Sequence, residues 1–497
     1  MVRALLAKHR CNLNLLGLCL FCTVVLQSCD SPQPTSQESS LDDGDELTKS
    51  LQVSTDDLPA MLERRIIRVL VSYNQTNYFS IGGVEKGFEY ELMKKLEAHV
   101  NKKARAGTLK VHIIFLTVPF SKLVQGLIEG KGDIAAAGLT VTPGRRAKLA
   151  FSLPYITNVD EIVVKSKDAE AVPTAEDLSG RSVIVTKGSS YVRHLDQLNE
   201  RLNSQHRASI HVIIAGTHLV TEDLLQMVSA GIYDYTIADS HIAQLWSSAL
   251  PGIVLQKTAV INRDGKIAWA VRKDNPRLLA LLNQFARKHQ QGTLLGNILL
   301  KRYYEDTKWV VNPLTEKRKQ QLAKYHDLFK KYAAQYEFDW QFIAALAFQE
   351  SKLNQNARSH AGAVGIMQIK PSTAAGEPIA IKHIKSNVEN NIHAGTKYLA
   401  FLRDRYFSDG ALEPLDQFAF TAAAYNAGPA KIRRLRKQAA AGNLDPDKWF
   451  NNVEYLAKKK IGNETTQYVA NIYKYYVSYK TSEVELKRRE QAIDQSR

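Results

Sequence analysis

An α/β domain followed by an all-α domain is the fold class that the sequence predicts, and three observations carry the prediction. From about Arg65 to Tyr304, short β-branched runs alternate with helical segments, the pattern of strands covered by helices. From Lys324 onward, apolar residues recur at three- and four-residue spacing, which is the helical period. Between the two lies a connector rich in charge, about Tyr304 to Gln321, interrupted by Asn312-Pro313.

The chain begins differently. Arg3, Lys8 and Arg10 precede the apolar run Leu15 to Leu26, a basic region and apolar stretch that read as a secretory signal and are too short for a transmembrane helix. The segment ends Leu26-Gln-Ser-Cys29, which resembles the lipobox that directs lipid to a cysteine, with Gln27 bulkier than the residue usual there. Residues 1–29 are therefore expected to be a signal peptide with a lipobox. Lipidation of Cys29, a plain signal anchor and cleavage without lipid are the three readings of it. All four cysteines, Cys11, Cys19, Cys22 and Cys29, lie in this leader. The exported chain then has no intramolecular disulfide and depends on its core, for which 497 residues suffice. Residues 30–60 are polar, rich in Ser, Asp and Gln without a structural period, and read as a flexible tether. Asp30 resembles an inner-membrane retention signal known in some bacteria.

In the first folded region, 61–305, Ile66–Val71, Lys110–Phe115, Ser182–Thr186 and Ile210–Ile214 are strand candidates, and Gly87-Phe-Glu-Tyr-Glu-Leu opens a helix. Such alternation predicts parallel sheets. In the second, 306–497, Glu350 continues the apolar stripe of Ile343, Leu346 and Leu353. A carboxylate on a core-facing stripe is costly to ionise, so its pKa should rise toward the value a general acid needs near neutral pH.

Downstream of Glu350, Ser359-His-Ala-Gly-Ala-Val-Gly-Ile-Met-Gln-Ile and Ala422-Ala-Ala-Tyr-Asn-Ala-Gly-Pro429 pack glycine, amide and aromatic residues into short runs. With Glu350-Ser351, these segments resemble, in order, the catalytic domain of lytic murein transglycosylases related to goose-type lysozyme; Ile366 stands where Leu is commoner. The resemblance implies an all-α lysozyme-like domain with Glu350 as the single catalytic acid/base and Ser359 supporting the substrate and reacting centre. It further implies Met367 and Gln368 as a cleft-lining pair, Tyr425 as a tyrosine hydrogen-bonding near the catalytic Glu, and Asn426 beside it. Glu464 and Tyr468 meet the family's late acidic residue and tyrosine. The reaction so implied cleaves the β-1,4 bond between N-acetylmuramic acid and N-acetylglucosamine in peptidoglycan, with the sugar's own C6 hydroxyl as nucleophile. One carboxylate then suffices where ordinary glycosidases use two. The family needs no cofactor.

The first region resembles the periplasmic solute-binding proteins of the polar amino acid class, a bilobal α/β fold. The match runs through the Gly87 helix start, Gly132-Asp-Ile-Ala-Ala-Ala-Gly-Leu-Thr-Val-Thr-Pro-Gly-Arg145 and Phe151-Ser-Leu-Pro-Tyr155. Arg145 falls on the arginine that clamps a ligand carboxylate with its planar fork of donors, and Thr140 on the hydroxyl that assists it. Gly188, Ser189, Ser190 and Asp239 fall on the second-lobe positions for the ligand's carboxylate and amino group. A free amino acid and a peptide-bearing wall fragment both carry those groups. The implied role is a regulatory one, a small ligand altering access to the Glu350 cleft.

With 66 Lys+Arg against 50 Asp+Glu the chain carries +16. Export and the lack of a basic DNA-binding motif speak against nucleic acid, and attraction to peptidoglycan and anionic headgroups accounts for the charge. The densest basic run, Lys431–Lys437, reads first as a solvated helix face. The 13 histidines are scattered, His-Glu-x-x-His is absent, and no metal site is expected. The expected place is the periplasmic face of a bacterial membrane, the outer membrane before the inner, reached through the N-terminal lipid or signal anchor. Two other functions fit the same motifs: a hydrolytic lysozyme on this scaffold, and a solute-binding receptor whose last domain only grips glycan.

Overall fold

The computed structural model describes residues 51–103, 110–305, 312–441 and 444–495, all within one compact unit. The expected leader with Cys29, and residues 30–50 of the expected tether, lie outside the described residues.

Strands β1 (Ile66–Val71), β4 (His112–Thr117), β5 (Ile134–Ala135), β6 (Leu149–Phe151) and β12 (Ala270–Arg272) form one sheet in the order β4-β1-β5-β12-β6. β1 is buried at every position, as a strand covered on both faces must be, and it pairs in parallel with β4 and β5. The second lobe has the sheet order β11-β7-β10-β8-β9, built from β7 (Ile156–Ser166), β8 (Ser182–Val185), β9 (His211–Ile214), β10 (Tyr235–Asp239) and β11 (Ile253–Ile267). A hairpin of β2 (Phe79–Ile81) and β3 (Val84–Lys86) stands apart. The expectation of parallel sheets holds for β1, β4 and β5, and for β10, β8 and β9. It fails where β12 pairs antiparallel with β5 and β6, and where β7 runs antiparallel to β10 and β11. The physical reason is the bilobal path: β7 carries the chain out of the first lobe and β11 brings it back, so the two crossing strands lie head to tail.

Residues 51–60 correct the tether expectation, because they are packed onto the first lobe. Arg68, in the middle of β1 and 1 % exposed, is paired with Asp133 at 2.7 Å. Its remaining donors go to the carbonyls of Gln52 and of Ser54, the latter at 2.9 Å. Asp133 also receives Arg64 at 2.7 Å and Arg272 at 3.2 Å. A buried guanidinium demands acceptors, and the segment supplies them. Asp57 then caps the helix Leu58–Glu63 and accepts from the amides of Arg277 and Leu278.

The charged connector is shorter than expected. Tyr304 ends the helix Leu294–Tyr304, and the next helix, Glu316–Gln335, begins before Gln321. The last third is helical as expected: Trp340–Ser351 (the helix of Glu350, the expected catalytic residue, and hence the catalytic helix), Val388–Tyr406, Pro414–Ala427, Pro429–Ala441, Glu454–Ile461 and Asn463–Gln495 (the terminal helix). The catalytic helix has no solvent face. Every residue from Gln341 to Phe348 is buried, so it is a central helix rather than the amphipathic one that the stripe suggested. The basic run lies on Pro429–Ala441, where Arg436 is tied to Asp409 at 3.0 Å and to Asp447.

The two folded regions touch through an apolar cluster, in which Leu224, Met227 and Ile232 of the second lobe join the helical core, and through polar contacts beside it. Lys458 donates to Tyr78 Oη at 2.6 Å and to the carbonyl of Phe115 at 3.0 Å, and pairs with Glu85 at 2.9 Å. Lys474 of the terminal helix pairs with Asp223 of the second lobe at 3.2 Å and donates to the Tyr73 carbonyl at 3.1 Å. Thr117 Oγ1 donates to Glu454 at 3.4 Å, and burial in this interface pushes the Glu454 carboxyl up to about 7.

Candidate active site and solute cleft

Glu350 lies in the last turn of the catalytic helix, which stops where Lys352 (φ 56°) and Leu353 (φ 63°) both turn left-handed. Its Oε1 accepts a 2.5 Å hydrogen bond from Tyr468 Oη on the terminal helix. Burial pushes its carboxyl up to about 7. The Tyr468 hydrogen bond and the charge of Lys352 hold it down, and Glu464 adds to the rise. A group of that pKa is divided between acid and base near neutrality, as a single residue serving both steps requires.

Lys352 is itself depressed to about 8, first by burial and then by Arg318. Its ammonium sits 4.8 Å from the Phe348 ring centroid and 5.7 Å from that of Tyr475, over π faces that favour a cation. Sequence reasoning missed this counter-charge; a lysine two positions after the Glu was its only signal.

The loop after Glu350 is held by the motif's Ser351 and by two residues outside the motifs, Gln355 and Asn391. Ser351 Oγ donates to the Ile366 carbonyl at 2.8 Å, and Gln355 Oε1 accepts from the Ile366 amide at 3.0 Å. Asn391, fully buried, accepts from the Met367 amide at 2.9 Å and donates to the carbonyls of Val364 at 2.9 Å and Ile384 at 3.2 Å. Gly365 (φ 81°) is required there, because a Cβ would strike the Asn391 amide.

The predicted residues divide accordingly. Met367 does not line an open cleft; its side chain is fully buried, because the loop must plug the core to stay in place. Gln368 (φ 48°) turns its amide back onto the Gly365 and Ala357 carbonyls at 2.8 and 3.2 Å. Ser359 is exposed, its Oγ accepting from the Ala363 amide at 2.9 Å in a turn of the same loop. Tyr425 donates to the Met367 carbonyl at 2.8 Å and lies close enough to Glu350 to feel its charge. The tyrosine bonded to Glu350 is Tyr468. Asn426 accepts from Thr465 Oγ1 at 2.7 Å. Glu464 is exposed, and the Gly83 tip of the β2–β3 hairpin lies so near that a Cβ added there would be 4.0 Å from the Glu464 Cβ. The first lobe thus extends to the start of the terminal helix, next to Glu464.

Replacing Tyr468 by Phe is expected to raise the Glu350 pKa, since the lost hydrogen bond stabilises the carboxylate. The alkaline limb of kcat against pH should then move up by about half a unit to one unit. An unmoved limb would show that Tyr468 does not set this pKa.

In the α/β domain, Arg145 donates to the Thr140 carbonyl of the first lobe at 2.7 Å and to the Gly188 carbonyl of the second at 3.0 Å. It bridges the lobes. Ser190 Oγ is 3.3 Å from Thr140 Oγ1 and donates to Glu161 at 2.6 Å. Ser189 Oγ donates to the Thr186 carbonyl at 2.7 Å. Asp239 accepts from Tyr191 Oη at 3.1 Å, and burial and then Glu161 hold its carboxyl well above the usual range. Thr140, Ser189, Ser190 and Asp239 line one cavity between the lobes, of about 50 Å³. Small-molecule sites run to roughly 300 Å³ and more, so the cleft here is closed.

Residues 327–449 match the Transglycosylase SLT domain family, and residues 66–304 match the Bacterial extracellular solute-binding proteins, family 3. Fold and site together define the class: a lytic transglycosylase carrying a solute-binding domain ahead of its catalytic one. Tyr468 and Glu464 lie beyond the matched 327–449. A "Membrane-bound lytic murein transglycosylase F" of Desulfosudis oleivorans is 31 % identical over 428 residues, covering 82 % of this chain and 89 % of the relative. One of Pseudomonas fluorescens is 29 % identical, covering 84 % and 86 %. The chain belongs to the membrane-bound lytic murein transglycosylase F family. Among solved structures, the P235GK mutant of ArgBP from T. maritima is 22 % identical with a TM-score of 0.41, covering 50 % of this chain and 99 % of that one.

Proposed function

We propose that this enzyme cleaves the β-1,4 bond between N-acetylmuramic acid and N-acetylglucosamine in peptidoglycan and leaves a 1,6-anhydro end, serving cell-wall turnover. The observation that carries it is Glu350, a partly buried carboxyl with a pKa near 7, bonded to Tyr468. In protonated form, Glu350 donates its proton to the glycosidic oxygen as the C1–O bond breaks. The substrate's acetamido group stabilises the positive charge at C1. The C6 hydroxyl then attacks C1 of the same sugar and returns its proton to Glu350, so no water is consumed. Holding that hydroxyl near C1 supplies the advantage of an intramolecular reaction. Lys352 stabilises the carboxylate between the two proton transfers. In this reading glycan lies along the loop and helix ends that carry Ser359, Gln368, Asn426 and Glu464, with Met367 and Tyr425 fixing that loop.

A second reading is hydrolysis with Glu464 as the additional carboxylate, since it is exposed and raises the pKa of Glu350. Mass spectrometry of the products from purified peptidoglycan separates the two. The expected muropeptides are one water lighter than hydrolysis products; reducing-end products would make the enzyme a lysozyme.

The solute-binding domain, 61–305, acts in this reading as the sensor of a small ligand held by Thr140, Arg145, Ser189, Ser190 and Asp239, and the transglycosylase domain, 306–497, as its effector. Lys474 supports the connection, because it joins Asp223 of the second lobe to the helix that carries Tyr468. We place the enzyme on the periplasmic face of the outer membrane through Cys29. Among the described residues no helix is long and apolar enough to cross a membrane.

A further inference from the structure

Once its carboxyls ionise, the interlobe cavity carries more negative charge than the recognition of one amino group needs. Its lining includes two carboxylates, Asp239 and Glu222, and neither lysine nor arginine. Both are at least nine-tenths buried, at 6 % and 4 % exposure. Arg145, the guanidinium nearest this charge, already donates to two carbonyls. Lys474 is felt by Glu222, but it is paired with Asp223. His241, in the same wall, has a buried Nδ1 without a partner, and burial lowers its pKa to about 4, so it adds no positive charge. Glu161 is answered separately, by Ser190 and by His194 Nδ1 at 2.6 Å.

Two buried carboxylates facing one cavity are costly to ionise without a cation. We propose that the cleft takes a free diamino acid, its α-ammonium on Asp239, its α-carboxylate toward Arg145 and Thr140, and its side-chain ammonium on Glu222. Glu222 is in the first turn of the helix Thr221–Ser229, on the second lobe with Asp239. Across the cleft it meets Thr76 of the first lobe, so a cation there is enclosed by both lobes. The cavity of about 50 Å³ requires the lobes to part for entry, and a ligand that neutralises both carboxylates favours their closing again. Glu222 adjoins Asp223, whose partner Lys474 belongs to the terminal helix, so this end of the ligand lies nearest the catalytic domain. The proposal rests on the reading of this domain as a working solute site.

The test is isothermal titration of residues 30–497 with L-lysine, L-ornithine and L-norleucine, which share the α groups and differ in the second ammonium. Lysine or ornithine should bind at least about ten-fold tighter than norleucine, a difference that charge-assisted hydrogen bonds to a buried carboxylate readily supply. Glu222→Gln should bring the diamino acids to norleucine's affinity. If that variant does not fold, the lysine-to-norleucine ratio of the parent decides alone. Norleucine binding as well as lysine would overturn the proposal and leave the solute-site reading standing. Binding of none of the three, by a protein that still cleaves peptidoglycan, would overturn both. Alanyl-lysine as a further arm distinguishes the source: binding as tight as free lysine would overturn a site that needs the free α-ammonium.

Discussion

Glu350→Gln is expected to lower peptidoglycan turnover at least about 10³-fold while leaving the protein folded and, above neutral pH, more stable than its parent. General acid catalysis by a positioned side chain contributes about 10²–10⁴-fold. In the proposed mechanism one group serves both proton transfers, so the loss should fall in the upper part of that range. Glutamine keeps the shape and accepts from Tyr468, but has no proton of suitable acidity to give. The stability change has a definite sign. The folded-state pKa of Glu350 is raised to about 7 from 4.5. Its contribution is therefore fully present below about pH 4.5 and is lost as pH rises through 7, where a charge must be kept in a buried place. A neutral glutamine escapes that loss. The variant should match the parent at pH 4 and exceed it by about 1 kcal/mol or more at pH 8. Turnover and thermal unfolding at the two pH values test this together. Residual activity within ten-fold of the parent would remove Glu350 from the mechanism. A variant less stable at pH 8 would mean that the carboxylate is satisfied rather than strained.

What was legible in the sequence was what local spacing and residue type can record. Glu350 and Tyr468 were identified and stand together, although 118 positions separate them, because each lies in its own short motif. The two fold classes were legible because β-branched runs and three- and four-residue spacing report secondary structure directly. The crossing strands β7 and β11 were not, since a pair joined through a whole lobe leaves no turn signal between its members. The docking of residues 51–60 was invisible for a related reason: a polar Ser- and Asp-rich segment reads as tether until a buried guanidinium, here Arg68, is found to need its carbonyls. The inward turn of Met367 was hidden too. A motif position tells that a residue matters, and only packing tells whether it faces substrate or core.

The residue with most influence for least sequence signal is Asn391, and Asn391→Ala is expected to cost about 3–5 kcal/mol and about 10²-fold in activity. Its amide holds the Met367 N–H and the Val364 and Ile384 carbonyls, all with no exposure of its own. Truncation strands two buried backbone groups, the Met367 N–H and the Val364 carbonyl, each worth about 1–3 kcal/mol when left unpaired, while the Ile384 carbonyl keeps Gln355 Nε2 at 3.1 Å. The effect reaches the chemistry through a short path. Met367 is the acceptor for Tyr425, Tyr425 lies in the field of Glu350, and Ile366 is the point where Ser351 fastens the loop to the catalytic helix. A loop displaced by as little as an ångström can misplace the glycan enough for such a loss. Asn391→Asp discriminates the roles within the amide. It keeps the acceptor for Met367 but turns a carboxylate toward the two carbonyls, so it should be no more stable than the alanine variant. Hydrogen exchange over residues 363–369 should rise in both variants, while the solute-binding domain keeps its protection. Unchanged exchange in that loop would mean that Ser351 and Gln355 hold it unaided, and the activity of Asn391→Ala should then be close to that of the parent.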